Sequence, residues 1–401
     1  MARFKYEGRG KAGQTSGVIA GTSKRDVIVK LQEKGLRITK IEELQETLLT
    51  KEISIGNPVK LQDFVIYLRQ FSTLLKAGIS VVDATNILAR QTESKALGKA
   101  LFDVEEELRS GNPLSAAAAK HKKIFSNMFT NMVKAGEAAG NMDETLDRLA
   151  LHYEKQHKTK QKIISALAYP AVVGIVAIAV VIFLLVAVVP TFVDMFQDFG
   201  AELPLITKFV LGASEWMQSF WWLVIIFILL IIAGIAAMKS QPSTKYYLDA
   251  AALRMPIFGK MLQKAALARM TRTLSSLFSS SVPILQAISI VESIVENEVI
   301  SRVLKESRNA LEKGHSLTEP MRDHWVFPPL VTQMIAIGEE TGSLDEMLSK
   351  VADFYEDEVE QATDRLKSLI EPLMIVFLAG IVGVVVTSIL VPMFDIFNKI
   401  N

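Results

Sequence analysis

The sequence predicts an all-α membrane protein: two duplicated cytoplasmic antiparallel helical-bundle domains, three transmembrane helices and a small N-terminal α/β module. Three observations carry this. Residues 136–154 (GEAAGNMDETLDRLALHYE) reappear 202 positions later as residues 338–356 (GEETGSLDEMLSKVADFYE). Three long apolar runs lack any charge. Between them, apolar residues recur at helical spacing.

The repeat register extends beyond that block. Arg69/Arg272, Ala84/Ala287 and Gly111/Gly314 match at an offset of 203, and Tyr153/Tyr355, Pro170/Pro372 and Pro190/Pro392 at 202, so one residue has been lost between the two sets. Solenoid units run to about 20–50 residues. Each copy here is therefore a whole domain with its attached span.

Composition narrows the function. Half of the 401 residues are hydrophobic, and the net charge is only +1. That balance leaves no electrostatic footprint for nucleic acid. The absence of cysteine excludes disulfides, thiolate metal sites and a cysteine nucleophile. Residues 1–57 are polar, without the apolar core of a secretory signal, so the amino terminus is expected to stay on the side of synthesis.

Residues 171–189, 221–238 and 373–391 are uncharged and apolar. A helix needs roughly 20 such residues to cross a hydrocarbon core. Buried core helices are the alternative, but none of the three runs has a polar face. All but Lys208 and Lys399 of the 44 Lys and Arg residues lie in 1–170 and 239–371. By the positive-inside rule both long polar regions are cytoplasmic, the amino terminus with them, and the carboxyl terminus is outside. Two copies in one orientation need a return helix, and 221–238, which has no counterpart in the repeat, is that helix. The matched spans are bracketed by Pro170 and Pro190 and by Pro372 and Pro392. Each inner proline is expected to kink or start its helix and each outer one to stop it. None of the spans contains an ionisable residue, which argues against a transporter.

The expected organisation is an α/β module and linker (1–57), helical domain 1 (58–168), span 1 (169–190), an outer loop (191–219), span 2 (220–238), helical domain 2 (239–371), span 3 (372–391) and an outer tail (392–401). In the module, residues 18–20 read as a strand, 23–34 as a helix opened by a capping box, and 36–41 as a second strand. In the first bundle, Leu68, Phe71, Leu74 and Leu75 form one stripe ending near Gly78. Leu101, Val104 and Leu108 form another, stopped by Gly111-Asn112-Pro113. The last helix of each bundle is expected to run directly into its span.

Few motifs point to chemistry. Gly8, Gly10 and Gly13 match GxGxxG, but that fingerprint must follow a strand and open a helix. A glycine-rich turn is the reading here. There is no GxxxxGK[ST] phosphate cradle, GxSxG elbow or HExxH pair. The five histidines, 121, 152, 157, 315 and 324, read as solvated helix residues. No catalytic residue, cofactor or metal is expected.

The strongest local signal is the doubled GExxG block, Gly136, Glu137 and Gly140 matched by Gly338, Glu339 and Gly342. It reads as a helix ending near the first glycine, a tight turn holding the glutamate, and a new helix with Asp143-Glu144 or Asp345-Glu346 in its first turn. A partner-docking surface is the second reading. Just before the spans, Lys155, Lys158 and Lys162 are matched by Asp357, Glu360 and Asp364. The lysines suit a surface near anionic lipid headgroups. The inversion places the two helices close together, within or between subunits, unless both are independently solvated.

Together these residues resemble the inner-membrane platform proteins of type IV pilus assembly and type II secretion, the secretion F family. The resemblance spans almost the whole chain: Phe4-Lys5-Tyr6 with Gly10 and Gly17, the doubled GExxG, Tyr169-Pro170, Pro190-Thr191-Phe192, then Leu203-Pro204 and Thr207. It implies a non-enzymatic platform of a pilus, secretion or competence machine in the inner membrane. Such a platform couples a cytoplasmic assembly ATPase to the insertion of pilin or pseudopilin subunits into a filament. Other inner-membrane assembly proteins, lipid and further copies of the chain are its expected partners, and nucleic acid is not. Some relatives are similar in binding calcium through carboxylates. Glu93 and Asp147 match two such positions, but Leu151 replaces a third, so no site is carried over. The competing reading is a polytopic membrane receptor or transporter with repeated cytoplasmic domains.

Overall fold

The computed structural model describes residues 2–10, 13–21, 28, 37–44, 58–192, 204–256 and 258–400. It divides into two compact units, Met1–Pro58 and Val59–Asn401. In place of an α/β module, the described part of the first unit is an antiparallel sheet of β1 (Ala2–Gly10), β2 (Gly13–Gly21) and β3 (Arg37–Leu44), in the order β2-β1-β3. The expected strands fall in β2 and β3. The central strand β1 was not expected, although Phe4 and Tyr6 alternate with Arg3, Lys5 and Glu7 in the period of a strand. Gly10 pairs with Gly13 and Gly8 with Thr15, so the GxGxxG glycines lie in a hairpin and open no helix. Of the expected helix only Ile28 is described, and it is helical. Of the expected linker, 45–58, residues 45–57 lie outside the described residues.

The second unit holds both helical copies. Copy 1 consists of α1 (Leu61–Lys76), α2 (Val81–Gln91), α3 (Lys95–Arg109), α4 (Leu114–Ala119), α5 (Asn127–Ala139) and α6 (Met142–Phe183). Serines start three of these helices. The hydroxyls of Ser80, Ser94 and Ser126 accept from the backbone N–H of Asp83, Leu97 and Phe129, satisfying donors that the helix leaves orphaned. Gly78 and Gly111 take left-handed φ of 83° and 88° after α1 and α3, where the sequence placed the stops. Leu68 and Phe71 are buried, with Leu74 and Leu75 packed at the edge of the core. Phe64 packs edge-on against Tyr153 at 5.0 Å and against Phe129 at 5.9 Å, which ties α1 to α5 and α6.

After α7, the return helix (Leu205–Ser240), and α8 (Pro242–Arg254), copy 2 repeats the plan. It consists of α9 (Phe258–Ser279), α10 (Ile284–Ile294), α11 (Glu298–Glu312), α12 (Glu319–Arg322), α13 (Pro329–Thr341) and α14 (Leu344–Ile400). The ends of α10 and α11 lie 203 residues after those of α2 and α3, and α13 spans the residues 202 after α5. The missing residue falls in the loop before α13, between His121/His324 and Phe125/Phe327. A loop absorbs a deletion that a helix would turn into a rotation of every later side chain by about 100°. The backbone plan is kept while the core changes. Phe64, Tyr67, Phe71 and Phe129 become Leu267, Met270, Leu274 and Val331, all buried.

Among the described residues, three helices are long and apolar enough to cross a membrane: Met142–Phe192, Leu205–Lys239 and Leu344–Val391. The first and third are the closing helices of the two bundles. The 57 residues of α14 amount to about 85 Å at 1.5 Å per residue, far more than a hydrocarbon core requires. As the sequence implied, bundle and span are one helix. The prolines correct an expectation. Pro170 lies inside α6, and both Pro372 and Pro392 lie inside α14. Beyond Phe183, α6 makes a π-helical turn (Leu184–Val188) and stays helical through Pro190 to residue 192, so neither outer proline stops its helix. In a membrane a broken backbone exposes several polar groups, so the helix continues around the proline instead. The return helix begins at Leu205, inside the segment expected to be a loop, and kinks at Phe220 (φ −121°, ψ 16°).

Removing the aromatic anchor should unravel the first bundle. Phe129→Ala is expected to cost about 3–5 kcal/mol in denaturant unfolding of the solubilised chain, against less for Val331→Ala at the matched, smaller position.

Candidate functional site

Each member of the GExxG block has a distinct physical task, and both copies use it alike. The helix ends at the second glycine rather than the first. Gly140 and Gly342 take left-handed φ of 73° and 72°, and the N–H groups of Gly140 and Asn141 both reach the Gly136 carbonyl. The first glycine lies inside the helix, at its closest approach to the next one. A Cβ at Gly136 would meet Thr145 Oγ1 at 2.5 Å, and one at Gly338 would meet the Leu344 Cα at 3.0 Å. The glutamate turns inward. Glu137 accepts from the Ser115 N–H at 3.1 Å and from its hydroxyl at 2.5 Å, at the start of α4, whose Pro113 has no side-chain cap to offer. Glu339 accepts from the Leu317 N–H at 3.0 Å and from the Ser316 hydroxyl at 2.7 Å. Each block thus closes onto its own bundle, and among the described residues no hydrogen bond joins one block to the other.

The two copies meet where α6 runs beside α14. In copy 1 the Arg69 guanidinium from α1 forks onto Glu154 at 2.7 and 2.6 Å and reaches Asp147 at 2.8 Å. In copy 2, Arg272 forks onto Glu356 at 2.7 and 2.9 Å and also holds Asp353. The acid side of copy 2 is shared across the repeat, because Lys155 of copy 1 lies 2.6 Å from Asp353 and 3.4 Å from Glu356. Lys162 pairs with Glu360. The inverted charges therefore do bring the helices together, within one chain. The partners lie one helical turn before the matched positions 357 and 364, so the two helices are staggered. Lys158 and Asp357 line the same cleft, a cavity of about 210 Å³.

His152 corrects the reading of the histidines as solvated. It is buried, with Nδ1 3.2 Å from the Ser276 hydroxyl of α9, while Arg148 donates to the Ser279 carbonyl beside it. Burial, reinforced by the nearby Arg272 charge, pushes its pKa down to about 3. Its counterpart in copy 2 is Phe354, which is exposed. The helical period could not reveal this, since the face that buries His152 is supplied by the other copy. His324 is also partly buried, and its pKa is lowered for the same reason.

The carboxylates of the Arg69 fork titrate low. The Arg69 hydrogen bond holds Glu154 below its ordinary range, and Lys76 does the same for Asp147. Asp147 is thereby engaged by cations, and no group of three or more metal-ligating side chains is found among the described residues. Near the bundle-side ends of the spans, Tyr169 and Pro170 face Ile370, Glu371 and Met374 across a cavity of about 30 Å³.

A family model for type II secretion system (T2SS), protein F matches residues 67–190 and again 270–392, and its N-terminal domain model matches residues 1–42. The chain belongs to the type II secretion system protein F family. The doubled match of this secretion F chain covers the two bundles with their spans and leaves the return helix outside. It is 37% identical to the type IV pilus assembly protein PilC of Thermus thermophilus, with all of both chains covered. It is 35% identical to PilC of Myxococcus xanthus, covering all of this chain and 96% of that one. It is 33% identical to the type II secretion system protein F of Xanthomonas campestris, again over all of both chains. The described residues missed by sequence reasoning are His152, Arg148 and the two arginine forks. For Arg69 and Arg272 the signal was present, as a polar residue retained in both copies.

Two outcomes follow from this geometry. Gly140→Ala is expected to cost about 1 kcal/mol from the left-handed backbone alone. Gly136→Val should cost more by driving α5 off α6, and urea unfolding ranks the two. His152 is neutral in the folded chain, whereas an unfolded histidine titrates near 6.5. Its folded pKa is depressed, so its contribution is intact above about pH 6.5 and is lost progressively toward pH 3. Lowering the pH from 7 to 5 should cost up to about 2 kcal/mol from this group. His152→Phe should flatten that part of the stability profile in thermal melts.

Proposed function

We propose that the chain is the inner-membrane platform of a type IV pilus, type II secretion or competence pseudopilus machine, coupling a cytoplasmic assembly ATPase to the insertion of pilin-like subunits into a filament. The observation that carries this reading is the continuity of α6 and α14. Each begins at a GExxG turn, passes the shared Lys155–Asp353 contact and crosses the membrane without a break. A displacement imposed on either bundle would therefore reach the spans through a rigid element, and the cross-repeat ion pairs would make both spans respond. Full-length relatives named for pilus assembly and for type II secretion support the same reading.

The distribution of Lys and Arg supports placing both bundles in the cytoplasm and the carboxyl terminus outside. The outer faces of the bundles, including the region of the GExxG turns, are then the docking surface for the ATPase. The spans would meet pilin or pseudopilin subunits, other inner-membrane assembly proteins, lipid and further copies of this chain. The absence of native cysteine makes the topology testable. Single cysteines at Lys122 and Lys399 are expected to be shielded from and open to an impermeant thiol reagent in intact cells, respectively. Deletion should abolish filament assembly, secretion or DNA uptake, and photo-cross-linkers on the bundles should capture the ATPase. Normal performance of all three processes in the deletion strain would sink the proposal.

A further inference from the structure

The return helix meets both repeat spans at their ends far from the bundles, and it does so through two hydroxyl groups aimed at backbone carbonyls. Pro392 has no N–H, so the carbonyl of Ser388, four residues earlier in α14, loses its helical donor. The Thr207 hydroxyl of α7 donates to that carbonyl at 2.7 Å in a buried contact. In the first span the π-helical turn changes the register, and the Val189 N–H donates to the Leu184 carbonyl, five residues back. The next N–H in that register would serve Leu185, but position 190 is proline. The Ser214 hydroxyl donates to the Leu185 carbonyl at 2.5 Å, and the Gln218 amide donates to Ser214 Oγ at 3.2 Å.

The two contacts are one device. Thr207, Val210, Leu211 and Ser214 follow the i, i+3, i+4, i+7 spacing of a single helix face. Between the hydroxyls, Val210 packs with Val189 and Val385, and Leu184, Leu185, Leu211 and Ile389 surround them. Pro190 and Pro392 are repeat mates, whereas α7 has no counterpart in the repeat. The carbonyls served differ by one position from the repeat register, and the π turn in the first span accounts for that difference.

We propose that Thr207 and Ser214 are positioning residues that clasp the return helix to both repeat spans, each hydroxyl replacing the backbone hydrogen bond that the outer proline of that span removes. Each outer proline creates a fixed acceptor near the far end of its span, and the hydroxyls recognise them. In an apolar medium an unserved carbonyl finds no water, so the pairing selects one angular setting of α7. This also explains why the outer prolines leave their helices intact.

The test is a set of double-mutant cycles on the full chain in lipid nanodiscs. Thr207→Val removes the hydroxyl at nearly constant shape and should lower the melting temperature by about 2 °C or more, while Thr207→Ser should not. Pro392→Ala restores the N–H, so T207V should cost little in the P392A background. Ser214→Ala and Pro190→Ala form the second cycle. Should both proline variants fail to fold, the yield of a disulfide between V210C and V385C decides, falling in T207V and retained in T207S. Independent, additive effects, or equal losses in T207V and T207S, would overturn the clasp. Filament assembly or secretion by T207V, and its recovery in the double variant, bears on the platform reading on which the functional role rests. Epistasis in melting with unchanged assembly upholds the clasp and counts against transmission through it.

Discussion

Two helices in this chain must satisfy two solvents at once. Over their first halves, α6 and α14 are the closing members of water-facing bundles, burying Leu146, Leu149 and His152 in one copy and Leu348, Val351 and Tyr355 in the other. Over their second halves they cross an apolar medium in which no backbone group can be left open. The change of solvent happens within a single hydrogen-bonded rod. The polar work at the boundary therefore falls to side chains: the arginine forks, the Lys155 and Lys162 bridges, and the lysine-rich edge of the cleft between the helices. Surface ion pairs taken singly contribute little. Here Arg272 and Glu356 are mostly buried and share Asp353 and Lys155, so they act as a network rather than as isolated pairs.

Duplication supplied the two rods in the same orientation, and divergence made them unequal. Copy 1 keeps an aromatic core where copy 2 has leucine, methionine and valine. Asp353 replaces Leu151, and His152 faces α9 where Phe354 faces outward. Asp353 and His152 lie where the copies touch. A perfectly repeated charge pattern would set like charges side by side along α6 and α14, whereas lysine on one and carboxylate on the other turns the same juxtaposition into attraction. The one-turn stagger of Lys155 against Asp353 and of Lys162 against Glu360 shows that the pairing was not inherited position by position.

Much of the fold was legible in the sequence because its signals are local or periodic. Gly78 and Gly111 mark helix ends because only a left-handed backbone closes those turns. Three uncharged runs marked the spans, and the repeat register predicted that Arg69 and Arg272 occupy equivalent places. The block at Gly136 was legible as a turn, but the task of each residue was not. Gly136 is small because Thr145 lies against it, and Glu137 is acidic because the N–H and hydroxyl of Ser115 point at it. Both facts concern neighbours contributed by other helices.

The sequence by itself determined the duplication, the number and limits of the apolar runs, the helical class of both domains and the family, since each rests on composition or period along the chain. Only the tertiary structure decided that His152 is buried, that the lysines of α6 meet acids one turn out of register, and that the outer prolines lie within helices. The physical reason is common to all three. Burial, ion pairing and the satisfaction of a freed carbonyl depend on a second element arriving from far along the chain. No spacing within α6 or α14 records where α7 or α9 will come to rest.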